Sequence, residues 1–171
     1  GVPMQSRGAY VSYLRHLIAT RSPVIDEASL AERPYQDYLQ APLQPLSDNL
    51  EANTYEVFER DPIKYAQYEA AVKKFLGDRA SAVVVVAGAG RGPLVAAVLR
   101  AAGDTCAVHV HAVEKNKNAI VTLRHRAATE AAWQGRVTVH FSDMRAYAPS
   151  CQIDCVVSEL LGSFGDNELS P

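Results

Sequence analysis

The stretch AVVVVAGAGRGP, from Ala82 to Pro93, decides the fold of this chain. Its first six residues are an unbroken run of alanine and valine, which is typical of a β-strand buried on both faces of a parallel sheet. Three glycines follow at Gly88, Gly90 and Gly92, and an apolar stretch with helical spacing begins at Pro93. Glycines between a buried strand and a helix let the backbone turn tightly and approach a ligand at the helix N-terminus. The stretch therefore predicts a strand, a ligand-binding loop and a helix.

The alternation of strands and helices continues on the carboxyl side. Hydrophobic periodicity predicts a helix over Pro93–Ala102, a strand over Ala107–Val113, a helix over Asn118–Trp133 and strands over Arg136–Phe141 and Ile153–Ser158. Strands and helices that alternate through short links indicate parallel strands and right-handed crossovers. The predicted fold class is therefore α/β, with a mostly parallel sheet.

Helices precede the first strand. Apolar residues at helical spacing predict an amphipathic helix over Gly8–Thr20. Asp48 and Glu51 resemble a capping box that opens a second helix, and Asp61 followed by proline is typical of the start of a third, over Pro62–Leu76. We expect its inward side chains to be Ile63, Ala66, Val72, Phe75 and Leu76.

Length and composition fit this architecture and exclude other classes. The chain has 171 residues, of which 48% are hydrophobic, and a formal net charge of −2. This near-neutral balance argues against a dedicated nucleic-acid binder, and no apolar run reaches the roughly 18 residues of a membrane span. Three cysteines without a fourth ligand nearby make a poor zinc site. We assign residues 1–46 to an N-terminal helix and proline-rich linker and residues 47–171 to the α/β unit, and we expect both ends to be cut points in a longer protein.

Two cofactor classes compete for the glycine loop. The dinucleotide fingerprint G-x-G-x-x-G would place its third glycine at position 93, where this chain has proline. The spacing G-x-G-x-G is instead familiar from S-adenosylmethionine-dependent methyltransferases. Glu114 ends the second strand and can accept hydrogen bonds from ribose hydroxyls in either class. After the third strand, the Asp143 side chain and the Met144 backbone N–H are suited to an adenine edge.

The fourth strand ends in Glu159, and Glu168 follows across a loop that contains two glycines. Two carboxylates at the carboxyl end of one strand can face a single pocket. On spacing alone, the alternative is a pair of solvated glutamates.

Other charged and polar positions favour ordinary structural roles. His109 and His111 alternate along the second strand and share one face of it, but no third metal ligand accompanies them. We therefore expect histidines that pack or are exposed. Lys115 and Arg126 are expected to be solvated, as are Lys117 and Arg124.

Five motifs resemble one family. They occur in order along the chain and resemble the type II, symmetric-dimethylating protein arginine methyltransferases at Asn49–Tyr65, Gly88–Val95, Ala112–Asn116, Ser142–Arg145 and Ser158–Phe164. The resemblance implies a Rossmann-like S-adenosylmethionine-dependent methyltransferase fold. It also implies methyl transfer to the ω-nitrogens of arginine, which gives mono- and symmetric dimethylarginine.

The resemblance further implies roles for the matching residues. The amino-acid end of S-adenosylmethionine would be contacted by Tyr55, Lys64, Tyr65, Gly88 and Gly90. Glu114 would hold the ribose, and Asp143 with Met144 the adenine. Glu159 and Glu168 look like the paired glutamates that clamp the substrate guanidinium. Phe58 resembles the phenylalanine associated with symmetric dimethylation.

The partners and location follow from the same resemblance. It implies arginine-containing substrates such as histone tails and spliceosomal Sm proteins, a homo-oligomer, a WD-repeat partner protein and a place in the cytoplasm and nucleus. It also implies a C-terminal β-barrel domain that these residues do not include, so we expect the isolated chain to be weakly active or inactive. The residues themselves leave two alternatives open, a non-catalytic S-adenosylmethionine-binding module and an NAD-dependent Rossmann oxidoreductase.

Overall fold

The computed structural model describes residues 4–20, 30 and 43–162. The chain divides into two compact units, Gly1–Ala41 and Pro42–Pro171. The first unit contains helix α1 (Met4–Thr20), which begins before the predicted Gly8 and ends where predicted. None of the described helices is both long and apolar enough to cross a membrane.

The second unit alternates helices and strands. Its helices are α2 (Ala52–Phe58), α3 (Pro62–Leu76), α4 (Pro93–Ala102) and α5 (Lys117–Thr129). Its strands are β1 (Ser81–Ala87), β2 (Ala107–Glu114), β3 (Val137–Phe141) and β4 (Cys155–Ser158). The predicted bounds of α3 and α4 are confirmed, and those of β1, β2 and β3 differ from the prediction by one residue.

The four strands form one parallel sheet in the order β3-β2-β1-β4. Ala87 at the end of β1 lies opposite Val113 of β2 on one side and Ser158 of β4 on the other. The chain moves outward from β1 to β3 and then returns to the opposite side of β1. This is the Rossmann-like α/β arrangement that the sequence predicts, and the reversal between β1 and β4 is a topological switch point, where such sheets bind ligands.

The hydrophobic core lies on one face of the sheet, beneath α3, α4 and α5. Val84 and Val86 of β1 and Val110 of β2 are fully buried there with Val95 and Val98 of α4. The unbroken valine run therefore has the buried surroundings that its composition predicts. This rigid layer fixes the positions of the strand ends.

The start and the face of the early helices differ from the sequence prediction. Glu51, not Asp48, precedes α2, and it makes no side-chain cap bond, so the predicted capping box is wrong. Asp48 lies in a turn in which its backbone N–H donates to Gln44 O at 2.8 Å. The predicted cap of α3 is confirmed, since Asp61 Oδ1 accepts from Lys64 N at 2.9 Å.

The inward face of α3 is rotated from the predicted one. Ile63 is 72% exposed and Ala66 is also exposed, whereas Val72 and Leu76 are buried as expected. Tyr65 and Tyr68 pack against the core in their place, with Phe75. The aromatic rings cover more core surface than Ile63 and Ala66 would, so apolar periodicity alone misplaces the face.

Helix α5 ends at Thr129 rather than at Trp133. Glu130 has extended backbone dihedrals (φ −80°, ψ 118°), and the chain then turns so that Trp133 enters the core at 2% exposure. A continued helix would follow the apolar spacing of the sequence, but burial of the large indole requires the turn. The strand β4 likewise begins at Cys155 rather than at Ile153.

Candidate functional site

The carboxyl ends of the four parallel strands lie along one edge of the sheet. The strand order places Asp143, Glu114, Gly88 and Glu159 along that edge in this sequence, since they lie at the carboxyl ends of β3, β2, β1 and β4. Neighbouring strands are about 4.8 Å apart, so the edge runs roughly 15 Å from the end of β3 to the end of β4. Four predicted site residues are therefore arranged in a row.

The glycine loop after β1 has the backbone conformation that glycine permits. Gly88, Gly90 and Gly92 have φ values of 68°, 56° and 95°. A Cβ on Gly90 would lie 3.1 Å from the Tyr55 ring, and a Cβ on Gly92 would lie 2.5 Å from the Trp133 ring. The loop thus needs glycine both for its dihedral angles and for the close approach of aromatic side chains.

Glu114 is a buried carboxylate held by backbone amides. It is 5% exposed. Gly90 N donates to its Oε2 at 2.7 Å, and Asn116 N donates to its Oε1 at 2.6 Å. These charge-assisted bonds join the end of β2 to the glycine loop and fix the carboxylate in one orientation.

A cavity of about 280 Å³ lies along this edge. It brings together most of the predicted site residues, namely Tyr55, Phe58, Lys64, Gly88, Glu114, Asp143, Met144 and Glu159. A second cavity of about 60 Å³ is lined by Tyr65 and Gly90, and Tyr55, Phe58, Gly88 and Glu159 line both cavities. Every predicted site residue within residues 43–162 thus borders one of the two cavities. Glu168 lies outside the described residues, so its placement stays a prediction.

Glu159 lies next to a cation. Lys64 Nζ is 3.2 Å from Glu159 Oε2, with side-chain exposures of 26% and 23%. Leu161 N donates to the other carboxylate oxygen at 3.4 Å. Tyr68 OH donates to the backbone oxygen of Ser158 at 2.9 Å, which joins α3 to the end of β4. The fold therefore positions Glu159 at the switch point, against the first turn of α3.

Aromatic side chains form the wall opposite the glycine loop. Tyr55 and Phe58, one helical turn apart on α2, make an edge-to-face contact with ring centroids 5.9 Å apart. Tyr65 OH donates to Phe58 O at 3.4 Å. Burial and then the charge of Glu159 raise the pKa of Tyr65 to about 12, so its hydroxyl stays protonated. This wall combines apolar surface with hydroxyl groups at the Glu159 end of the site.

Arg91 connects the glycine loop to α2. Its Nη1 donates to Ala52 O at 3.1 Å and lies 3.6 Å from Glu56 Oε2, and its Nε lies 3.3 Å from Glu59 Oε1. Burial raises the pKa of Glu59, while Arg91 opposes that rise. The aromatic wall and the loop are therefore held together by one guanidinium.

Asp143 and Met144 lie at the β3 end of the cavity. Arg145 donates to Asp143 through its backbone N–H at 2.9 Å and through its guanidinium at 2.9 and 2.7 Å. These hydrogen bonds lower the pKa of Asp143 to about 2. The carboxylate is therefore ionised throughout the ordinary pH range and remains a hydrogen-bond acceptor.

The sequence prediction missed several residues that line the cavity, and three groups of them carry the clearest roles. They are the segment with Leu43, Pro45 and Leu46, the side chain of Lys115, and Leu160. Lys115 was predicted to be solvated, but its ammonium donates to Leu46 O at the cavity wall. The prolines indicated only an irregular segment, and nothing in their spacing shows that the segment covers the end of β2.

Arg126 is a second correction among the charged residues. It was predicted to be solvated, yet its guanidinium stacks over the Trp133 ring at 4.4 Å and donates to Arg91 O at 3.0 Å. It also pairs with Glu130 at 2.6 Å. The Arg126 side chain therefore joins the glycine loop, through Arg91 O, to the buried Trp133 ring.

The histidines of β2 share one face as predicted, with ring centroids 5.1 Å apart. His109 Nε2 lies 2.9 Å from Thr138 Oγ1, and His111 Nδ1 lies 2.9 Å from His140 Nε2 and 3.0 Å from Tyr147 OH. In the part of the chain that the structure describes, no group of three or more His, Cys, Asp or Glu side chains could hold a metal ion. Together with His140 of β3, these histidines form a cluster (His109, His111 and His140) across the neighbouring strands β2 and β3.

Comparison with known proteins identifies the family. Residues 26–171 match the family described as PRMT5 arginine-N-methyltransferase. The chain belongs to this family. The resemblance seen in the sequence motifs is thus confirmed, and so is the Rossmann-like methyltransferase fold that it implies.

Relatives and a solved structure show the extent of the similarity. Protein arginine N-methyltransferase 5 of Xenopus laevis is 50% identical over 172 residues, which cover 95% of this chain and 27% of the relative. Protein arginine N-methyltransferase skb1 of Schizosaccharomyces pombe is 52% identical over 166 residues, which cover 95% and 26%. A methyltransferase structure from Thiobacillus denitrificans has a TM-score of 0.42 and 20% identity, over 54% of this chain and 35% of that one. The chain spans about a quarter of the length of the curated relatives it matches.

Proposed function

We propose that this chain carries the cofactor-binding and arginine-binding residues of a protein arginine methyltransferase. The observation that carries the proposal is the pair of acidic side chains on one cavity. Glu114 is fixed by two backbone amides, and Glu159 is paired with a cation 3.2 Å away. The first has the setting of a carboxylate that binds neutral hydroxyls, and the second already binds a positively charged nitrogen.

The residues present fit S-adenosylmethionine, which supplies a methyl group on a positively charged sulfur. Asp143 and Met144 would hold the adenine, Glu114 the ribose, and the glycine loop with Lys64 the amino-acid end. This order follows the order of the strand ends along the sheet edge. The glycine loop fits as well, because a Cβ on Gly88 would lie 2.8 Å from Leu160 and narrow the cavity.

The chemistry at the β4 end follows from the charges there. A guanidinium offers five N–H donors in a planar fork, so Glu159 can bind it through two charge-assisted hydrogen bonds. Its pKa of roughly 12.5–13.8 means that a carboxylate does not deprotonate it beforehand. Glu159 therefore orients one ω-nitrogen towards the methyl carbon. S-adenosylmethionine would supply the methyl group and keep the electron pair on its sulfur, and Glu159 would hold the guanidinium while the nitrogen gains the methyl group and loses its proton.

Phe58 of the aromatic wall and Glu168 extend this proposal. Phe58 borders both cavities and would restrict the space around the reacting nitrogen, which favours symmetric dimethylation. Glu168 would supply the second carboxylate of the clamp. The family membership supports arginine-containing protein substrates. From the resemblance of the sequence motifs we further propose histone tails and Sm proteins as substrates, a homo-oligomer with a WD-repeat partner, and a location in the cytoplasm and nucleus.

A methyl-transfer assay on the full-length protein tests the proposed function. Radiolabelled S-adenosylmethionine should label an arginine-containing peptide and should leave a matched peptide with lysine in place of arginine unlabelled. Mass spectrometry should identify mono- and symmetric dimethylarginine. Binding of S-adenosylhomocysteine without any turnover would favour the non-catalytic binding module, and binding of NADH instead would favour the oxidoreductase.

A further inference from the structure

The first turn of α3 presents one lysine to the acidic end of the cavity. Lys64 contacts Glu159 through a single ammonium-to-carboxylate distance of 3.2 Å, and its ammonium also lies 5.0 Å from the centre of the Tyr65 ring. Its backbone N–H is fixed by Asp61 at 2.9 Å. The main chain of Lys64 is therefore held in place, while its long side chain can exchange partners.

We propose that Lys64 couples the binding of the cofactor to the binding of arginine. The inference rests on the proposed function, in which Glu159 binds the guanidinium and the cofactor's carboxylate lies at the α3 end of the cavity. In its pair with Glu159, the Lys64 ammonium neutralises the carboxylate that would otherwise bind an arginine. A ligand carboxylate that draws the ammonium away leaves Glu159 with a full charge for arginine.

The chemistry of the three groups makes this exchange favourable. The Lys64 ammonium, whose side chain is 26% exposed, has one ion-pair contact beside the Tyr65 ring, whereas a guanidinium can bind the same carboxylate through two parallel charge-assisted bonds. A ligand carboxylate replaces the partner that Lys64 loses. Because coupling between two sites is reciprocal, bound arginine must also tighten the cofactor by the same factor.

Lys115, the other lysine on this cavity wall, does not have the same role. Its ammonium donates to Leu46 O, next to Glu114 at the end of β2. It therefore joins two segments of backbone, and its charge contributes to lowering the pKa of Asp143 at the β3 end of the cavity. Among the lysines that line the cavity in residues 43–162, Lys64 is the one paired with Glu159.

The test compares two nucleosides that differ only in the carboxylate. The affinity of the full-length protein for an arginine-containing peptide is measured with saturating S-adenosylhomocysteine and with its decarboxylated analogue. We expect the peptide to bind at least about fivefold more tightly with S-adenosylhomocysteine, a coupling at the lower end of the usual range. Lys64→Met should remove this difference, and Lys73→Met, which changes an exposed lysine on the same helix, should preserve it.

Two further readouts separate coupling from a structural effect. Lys64→Met should raise the KM for S-adenosylmethionine and lower the KM for the peptide, whereas general destabilisation would impair both. Lys64→Arg places a guanidinium on Glu159 and should weaken peptide binding with either nucleoside.

Three outcomes would overturn the inference. Equal peptide affinity with both nucleosides in the unmodified protein contradicts the coupling but not the proposed function. A difference that persists in Lys64→Met shows that the ligand carboxylate attracts the peptide directly rather than through Lys64. Failure of the unmodified protein to bind S-adenosylhomocysteine at all overturns the proposed function, and the coupling with it.

Discussion

Glu114 and Glu159 lie at the same sheet edge, on either side of β1, yet the structure holds them in different ways. Glu114 is 5% exposed and accepts two short hydrogen bonds from backbone amides, at 2.7 and 2.6 Å. Glu159 is partly exposed and has a flexible lysine 3.2 Å away, with one longer amide contact at 3.4 Å. One carboxylate is thus bound by the main chain and the other by a side chain that can leave.

The difference shows how one edge can serve two ligands. A carboxylate that the main chain fixes is pre-organised, so a ligand binds it without rearranging the protein. A carboxylate that a lysine covers can exchange its partner. The β2 end is therefore suited to a ligand part that is always the same, and the β4 end to a group that enters, reacts and leaves.

Substitution of Glu159 by glutamine should give the largest effect on activity. Glu159→Gln keeps the shape but removes the charge that orients the guanidinium, so methyl transfer should fall by about 100-fold or more. Calorimetry should show that S-adenosylhomocysteine binds at least as tightly as in the unmodified protein, because Lys64 is released from Glu159, and thermal unfolding should change little. Turnover at the original rate in the full-length protein would contradict the role of Glu159.

Substitution of Glu114 by glutamine should instead affect stability and cofactor affinity together. Glu114→Gln keeps one oxygen that can accept a backbone N–H. It places an NH2 group against the other backbone N–H, so one of the two buried hydrogen bonds is lost. The free energy of unfolding should fall by about 1–3 kcal/mol, measured in urea. Glu130→Gln is the matched control, since it loses only a partly exposed pair with Arg126 and should cost about 0.3–0.5 kcal/mol. If the two variants lost the same unfolding free energy, the backbone amides would not hold Glu114 more firmly than a partly exposed ion pair holds Glu130.

The product of the reaction provides a finer test of the β4 end. Phe58→Met replaces a ring that borders both cavities with a flexible chain. We expect the dimethylarginine to shift from purely symmetric to a mixture of isomers, resolved by mass spectrometry. Phe75→Met changes a phenylalanine that packs on the core and should leave the product unchanged. Purely symmetric product from Phe58→Met would count against its role.

The smallest effect should be a pH dependence confined to the β2–β3 side. Burial, and then the charge of the neighbouring histidines, lower the pKa of His111 and His140. Their contribution to stability is therefore complete above the unfolded-state pKa of about 6.5 and is lost as the pH falls through it towards the folded values. His140→Asn should reduce the loss of unfolding free energy between pH 7.5 and pH 5.5. An unchanged pH dependence would show that the cluster does not titrate on unfolding.

Periodicity predicted most of the fold because buried parallel strands and their crossover helices leave a clear pattern in the sequence. The valine run gave bounds for β1 that differ from the structure by one residue, and the proline and glycine at the ends of α4 gave bounds that the structure confirms. The errors occur where a tertiary contact opposes the local pattern. Helix α5 stops early because Trp133 enters the core, and α3 is rotated because Tyr65 and Tyr68 pack on the sheet.

The candidate site was predictable in its residues but not in its contacts. The strand ends identify Glu114, Asp143 and Glu159, since parallel strands place their carboxyl ends on one edge. The motifs point to Tyr55 and Lys64 only through the family that they resemble. The segment around Leu46 was missed because its place over the end of β2 depends on Lys115, Asn116 and Asn118, which donate to Leu46 O and Leu50 O from a distant part of the chain.

The sequence by itself determined the alternation of parallel strands and helices, the glycine loop and the acidic residues at the strand ends, because these depend on local pattern and on chain direction. Only the tertiary structure decided that Glu114 is bound by main-chain amides and that Glu159 is paired with Lys64, 95 residues away in the chain. Hydrogen bonds and ion pairs between distant segments depend on packing distances that no local pattern encodes. That packing makes one carboxylate rigid and leaves the other able to exchange its partner.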